Sequence, residues 1–222
     1  LRQRKPASLE AAAKGLSVAL VTLDSRLASS LLAEASDRGV RVLHIAPGDE
    51  PPLSVKAIIT KRTEKTGPSS HHVIFAEDYS SPRAILDRAV EVCAGKSEAR
   101  HVTVSIDPGK RMGVAFLTDG VVVRTTTCFS NEELVESIDE FVRNHPQSEL
   151  SFVIGSGAPS HREEMLRFLR SRLPYIWGNS VNLVPEDRTS LRKSWLRGRK
   201  TTDEVAAASL PNRLRRTRLG SQ

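Results

Sequence analysis

The sequence predicts an α/β protein in two parts, a small and mostly parallel α/β domain over residues 16–95 followed by a mixed-sheet domain over residues 100–211. Three observations lead there. From Leu16 to Gly95, short apolar runs alternate with amphipathic helical runs, the pattern of strands crossing over through helices. From His101 to Thr127, three strand patterns follow one another with only turns between them, which calls for antiparallel pairing. Between the two parts, Gly95–Arg100 is short and polar and reads as a joint.

Composition narrows the class further. The 222 residues are 39% hydrophobic and 27% charged, ordinary values for a soluble globular chain, and long enough to bury a core in each part. Cys93 and Cys128 are the only cysteines, too few for a disulfide framework or a thiolate metal site, so a cytoplasmic chain with reduced thiols is expected. No apolar run approaches the roughly 18–20 residues that a membrane span needs. The start carries no secretory pattern either.

Residues 1–15 form a basic, Ala-rich arm. The first domain then reads as a strand at Leu16–Thr22, a helix at Ser25–Arg38 and a strand at Val40–Ile45. Asp24 is the natural N-cap of that helix and Gly39 its stop, with Leu27, Ala28, Leu31, Leu32 and Ala35 on one face. Val55–Thr60 and His72–Ala76 are two more short strands. Ser81-Pro82 opens a helix whose apolar side holds Ile85, Leu86, Ala89, Val90 and Cys93. Such an order predicts a Rossmann-like or flavodoxin-like sheet covered by helices on both faces. It has no Gly-rich phosphate fingerprint after its first strand, and no acid ends Val55–Thr60. Adjacent His71 and His72 would point to opposite faces of a strand, which argues against a joint metal site.

In the second domain, strands are expected at His101–Ile106, Gly113–Thr118 and Val121–Thr127, with Asp119-Gly120 as a two-residue hairpin turn. A helix follows with Ser130 and Glu133 as its capping box and Leu134, Ile138, Phe141 and Val142 as its apolar stripe. Next come a strand at Leu150–Ile154, Gly155-Ser-Gly157, and a second capped helix from Ser160 with Glu163 in the box, burying Met165, Leu166, Phe168, Leu169 and Leu173. A fifth strand at Val181–Val184 leads through a basic loop to a final helix from Thr202, and residues 212–222 are a basic tail. The order β-β-β-α-β-α-β-α is that of a ribonuclease-H-like domain.

Acids at three places in this domain invite a chemical reading. Asp107 ends the first strand, on the polar side of the alternation Val102, Val104, Ile106, just before the Pro108-Gly109 turn. Asp203, Ala206, Ala207 and Leu210 fall at i, i+3, i+4 and i+7, so a carboxylate begins a small-residue helix face. Glu204 is accounted for by a capping box with Thr201. Glu186-Asp187 follows the fifth strand, and only one of the two can share a face with Asp107. Carboxylates from three separate elements, with a basic segment between the last two, suit metal-assisted phosphodiester chemistry, and oxygen donors suit Mg²⁺ or Mn²⁺.

Charge points the same way. Net charge is +7, and between Glu186 and Arg218 ten basic residues face four acidic ones. Blocks of this kind bind phosphate backbones. Lys110, Arg111 and Arg188 would lie near a scissile phosphate, while Arg192, Lys193, Arg197, Arg199 and Lys200 would hold the backbone. Trp195 either stacks on an unpaired base or packs with Leu191 on a short helix.

These segments resemble the RuvC/YqgF branch of the ribonuclease-H-like superfamily, over about residues 100–211. Ile106-Asp-Pro-Gly-Lys-Arg-Met-Gly-Val-Ala115 resembles its first motif, Phe152–Gly157 its fourth strand and loop, Pro185-Glu-Asp-Arg-Thr-Ser190 the acid-acid-Arg-x-Thr motif, and Asp203-Glu-Val-Ala-Ala207 the closing Asp-x-x-Ala-Ala. The resemblance implies a metal-dependent endonuclease acting on structured or branched DNA or on RNA, as in Holliday-junction resolvases or ribosomal-RNA maturation. Asp107, Asp187 and Asp203 would be catalytic, and with Glu186 would bind Mg²⁺ or Mn²⁺. The chain departs from the family at the fourth strand, where resolvases place a glutamate and this sequence has Gly155-Ser-Gly157. A ribonuclease-H-like module that binds nucleic acid without cutting it is therefore the alternative. A sugar-kinase-like ATPase would need two copies of the fold, and the sequence contains one. Monomer and homodimer both remain open.

Overall fold

The structure is a computed structural model that describes residues 17–64, 71–175, 180–184, 207–208 and 210–211. It is an α/β protein with one parallel and one mixed sheet. The chain divides into two compact units, and among the described residues the break falls between Ser97 and Glu98.

The first unit runs β1 (Ser17–Val21), α1 (Ser25–Arg38), β2 (Arg41–Ile45), β3 (Ala57–Thr60), β4 (His72–Phe75), a 3₁₀ turn at Ala76–Asp78 and α2 (Pro82–Cys93). Its sheet is parallel throughout in the order β2-β1-β3-β4. Asp24 caps α1 by accepting from the amides of Arg26 and Leu27, and Gly39 closes the helix at φ 67°, a left-handed conformation that glycine adopts without a Cβ clash. Ser81 caps α2 through the amide of Ala84.

Two features of this unit were not expected. The sheet was expected to carry helices on both faces, but α1 and α2 pack against each other. The β2–β3 connection forms no helix, because Pro51 and Pro52 interrupt it. The second face instead carries an apolar cluster of Ala19, Val21, Val55 and Ile58 with Leu43 and Ile45. The other feature, which the sequence reading did not address, is that α2 buries Asp87 and Glu91 beside its apolar residues. Arg38 of α1 bonds Asp87 at 2.7 Å and Glu34 at 2.7 Å. Burial works against the Arg38 charge, but Asp87 and Glu34 more than offset it and hold its pKa above the ordinary arginine value. Cys93 is buried nearby, which pushes its thiol up to about 11, and Cys128 is likewise a buried free thiol.

The second unit runs β5 (His101–Asp107), β6 (Met112–Thr118), β7 (Val121–Cys128), α3 (Asn131–Arg143), β8 (Glu149–Gly155), α4 (Pro159–Arg172) and β9 (Ser180–Val184), and residues 207–208 and 210–211 are helical. Its sheet order is β7-β6-β5-β8-β9; β5, β6 and β7 pair antiparallel, while β5, β8 and β9 pair parallel. The β6–β7 turn places Asp119 at φ 46° and Gly120 at φ 79°, the double left-handed geometry of a tight hairpin. One bond of the α3 capping box forms as expected, Ser130 Oγ accepting from the Glu133 amide, while the Glu133 carboxylate accepts at 2.7 Å from the amide of Phe129, one residue before the cap. The start of α4 does not follow the expected Ser160–Glu163 box. Pro159 takes the first helical position and Ala158, at φ 40°, the cap, with no side-chain bond to the helix.

One face of this sheet packs Phe116 on Phe141 of α3 with ring centroids 4.7 Å apart. Arg124 of β7 lies buried over both rings and pairs with Glu140 at 3.0 Å. The opposite face carries Ala115 and Leu117, which pack on Ala207, and Val153 and Val184, which pack on Leu210. No helix among the described residues is long and apolar enough to cross a membrane.

Candidate functional site

Strand direction decides where chemistry can gather in the second unit. β5, β7, β8 and β9 all end at the same edge of the sheet, where β6 begins. That edge therefore collects the 107–112 turn, the Cys128–Ser130 segment and the Gly155–Ala158 loop. Asp107 sits there as the last residue of β5, half-buried and in register with Gly113. Lys110 and Arg111 are exposed in the turn that follows. Gly109 is tight: a Cβ there would meet the Arg111 carbonyl at 3.2 Å, so the turn tolerates little else.

Asp107 shares its face of β5 with Ser105, two residues earlier. Ser105 is fully buried, and its hydroxyl donates to the Ala207 carbonyl at 2.6 Å. The reason is legible in the sequence. A helical carbonyl at 207 would normally accept from the amide at 211, and residue 211 is proline, which has none. Ser105 supplies the missing donor and fastens the last helical segment to the Asp107 side of the sheet.

After β8, the chain continues into Gly155-Ser-Gly157, with the Ser156 amide donating to the Val184 carbonyl at 2.9 Å. Arg162 of α4 reaches back to the Ser156 carbonyl. No carboxylate stands at the end of β8.

Of the residues singled out in the sequence, Asp107, Lys110 and Arg111 are brought to this one edge. Glu186, Asp187, Arg188, Arg192, Lys193, Trp195, Arg197, Arg199, Lys200 and Asp203 lie outside the described residues. Among the described residues, no group of three or more His, Cys, Asp or Glu side chains is arranged to hold a metal ion.

Sequence reasoning passed over Phe129. It follows β7 directly and is 67% exposed at the same edge. Of the six phenylalanines in the chain, Phe116, Phe141 and Phe152 are fully buried and Phe75 and Phe168 are partly covered. An apolar residue at a strand end looks like the end of a core pattern in sequence, and only the tertiary fold reveals that it points outward.

The strand ends of the first unit contrast with this edge. Glu64 accepts from the Thr22 hydroxyl at 2.9 Å and from the Leu23 amide at 2.6 Å, and Lys61 pairs with Asp24 at 3.0 Å. Arg62 donates through its backbone amide to Glu77 and through its guanidinium to Asp78, and lies 4.4 Å over the Phe75 ring.

No protein-family model matches the chain, and no curated protein does. Among solved structures, a mitochondrial ornithine carbamoyltransferase from Coccidioides immitis aligns over 89% of this chain and 68% of its own at 12% identity, with a TM-score of 0.24. A likeness that loose carries no argument about fold or function.

Proposed function

We propose that the protein is a metal-dependent nucleic-acid endonuclease whose second unit is a ribonuclease-H-like domain of the RuvC/YqgF kind, acting on structured or branched DNA or on RNA. The observation that carries this reading is the bond from Ser105 to Ala207. It fastens the closing segment to the face of β5 that bears Asp107, and Asp203 stands four residues before Ala207, the spacing that one helix face requires. The sheet order β7-β6-β5-β8-β9 supports the same reading, since three antiparallel strands followed by two parallel ones fit the β-β-β-α-β-α-β order read in the sequence.

The donor set fits a hard cation. Asp107 offers oxygen at a strand mouth, and Asp203 with Asp187 or Glu186 would complete an all-oxygen set for Mg²⁺ or Mn²⁺. Such ions, when bound, lower the pKa of an attacking water and stabilise the departing oxygen. The chain itself would contribute attraction and alignment. Lys110 and Arg111 neutralise the phosphate beside Asp107, and the basic residues Arg188, Arg192, Lys193, Arg197, Arg199 and Lys200 hold the flanking backbone, with Trp195 available to a base.

One observation favours a second reading. The Gly155-Ser-Gly157 loop gives the end of β8 no carboxylate, so a domain that binds nucleic acid without cutting it is the alternative. A labelled panel of branched DNA, single-stranded DNA and structured RNA, incubated with Mg²⁺, Mn²⁺ or EDTA, separates the two. Metal-dependent cleavage that falls by on the order of a thousandfold in Asp107→Asn is the expected result. Salt-sensitive binding without cleavage under every condition would overturn the nuclease reading in favour of the binding module.

A further inference from the structure

We propose that Phe129 and Arg111 form a platform for one unpaired nucleotide beside Asp107, the ring stacking on the base and the guanidinium holding its phosphate. This rests on the nucleic-acid reading above and deepens it by naming the form of substrate: a single-stranded segment, or a branch with an unpaired base, rather than continuous duplex.

The argument begins with register. Met112 and Cys128 are the last pair of the two strands, and the residues just beyond them are Arg111 and Phe129, so an exposed cation and an exposed aromatic flank the same end of one strand pair. Asp107 pairs with Gly113 and Gly113 with Thr127, which puts Asp107 and Thr127 in one row across the sheet, about 10 Å apart. Strand alternation puts Thr125 and Thr127 on the face that Asp107 shares, and Phe129 follows two residues beyond Thr127, just past the end of β7. The base of a nucleotide within a few positions of a phosphate at Asp107 is therefore in reach.

Preorganisation separates Phe129 from an incidental surface residue. Its amide is held by the Glu133 carboxylate, and the next residue, Ser130, is the cap of α3. The backbone beneath the ring is fixed by a helix terminus, so stacking orders little more than the side chain itself. Exposing a phenylalanine to 67% in a protein that buries or half-buries its other five has a hydrophobic cost, and a ligand with a flat aromatic face removes that cost. A base inside a duplex already has both faces stacked and cannot present one, whereas an unpaired base can. Lys110, exposed next to Arg111, adds a second cation for the same backbone.

The test uses the full chain in EDTA, so that binding is read without cleavage. The probe is a short oligonucleotide carrying 2-aminopurine, offered single-stranded and annealed to its complement, in deoxyribose and ribose forms. Wild type is expected to quench the fluorophore in the single strand further and to leave the already quenched duplex signal unchanged. Phe129→Ala should abolish the quenching and weaken single-strand binding about 5- to 100-fold while leaving duplex binding unchanged. Phe129→Trp should retain both quenching and affinity. Arg111→Ala should reduce the salt dependence of binding to either form. Equal binding and quenching by wild type and Phe129→Ala would overturn the platform, as would an equal loss on single strand and duplex. Quenching by a wild-type protein that cleaves nothing in Mg²⁺ or Mn²⁺ sinks the nuclease reading and leaves the platform standing.

Discussion

The two sheets end their strands in opposite ways. In the first unit, the polar groups beyond β1, β3 and β4 meet one another: Thr22 and Leu23 meet Glu64, Asp24 meets Lys61, and Arg62 meets Glu77 and Asp78. In the second unit, Lys110, Arg111 and Phe129 are exposed around a half-buried Asp107. Open α/β sheets place ligands at the carboxyl ends of their strands, but that rule names a place and not a chemistry. Where the side chains at that place are bonded to each other, they hold loops together. Where an exposed aromatic and exposed cations border a half-buried carboxylate, the edge presents several kinds of group to solvent. The contrast gives the first edge a structural role and makes the second the candidate for function.

Removing Asp87 should give the largest change in stability and would test the structural half of the contrast. Asp87→Ala leaves Arg38 buried without its main partner, and unfolding free energy should fall by about 3–5 kcal/mol in chemical denaturation. Asp107→Asn should move the same curve far less. If the two substitutions destabilise equally, Asp107 is a structural residue and the contrast fails.

An intermediate effect is expected at Ser105. Ser105→Ala leaves the Ala207 carbonyl buried without the donor that Pro211 cannot provide, for a loss of about 1–3 kcal/mol in unfolding free energy. Pro211→Ala restores the amide, so the double variant should recover much of that loss. A cycle with no coupling between positions 105 and 211 would show that the hydroxyl does not stand in for the amide.

The smallest effect belongs to Asp24. Its carboxyl is held below the ordinary 3.8, first by the Leu27 amide it caps and then by the Lys61 ammonium. The unfolded chain thus takes up this proton at a higher pH than the folded one. The stabilisation is complete above about pH 4 and is lost as pH falls below it. Acid titration of Asp24→Asn should show a slightly shallower fall in stability below pH 4 than wild type, and an unchanged or steeper fall would contradict the assigned cause.

Much of this was legible in sequence because the signals were local. Asp24 and Gly39 bound α1, Ser130 and Glu133 open α3, and Asp119-Gly120 turns the β6–β7 hairpin, each through contacts within a few residues. The misreadings are tertiary or conformational. Asp87 drew no notice in the sequence because its partner Arg38 lies 49 residues away. The Ser160–Glu163 box lost to Pro159, whose fixed φ suits the first helical position, and a left-handed Ala158 has no sequence signature. The second helical layer expected over the first sheet failed at Pro51-Pro52. In the candidate site, Asp107 was readable from strand alternation, whereas the exposure of Phe129 is a property of the folded edge.

Manganese binding by wild type, Asp107→Asn and Asp203→Asn, followed by the loss of the free Mn²⁺ paramagnetic resonance signal, tests the central claim most directly. If the closing segment brings Asp203 to the face of β5 that holds Asp107, each substitution should weaken binding of the ion by at least about 10-fold. Binding that both variants leave unchanged, or that only one of them alters, would contradict a shared site at the end of β5.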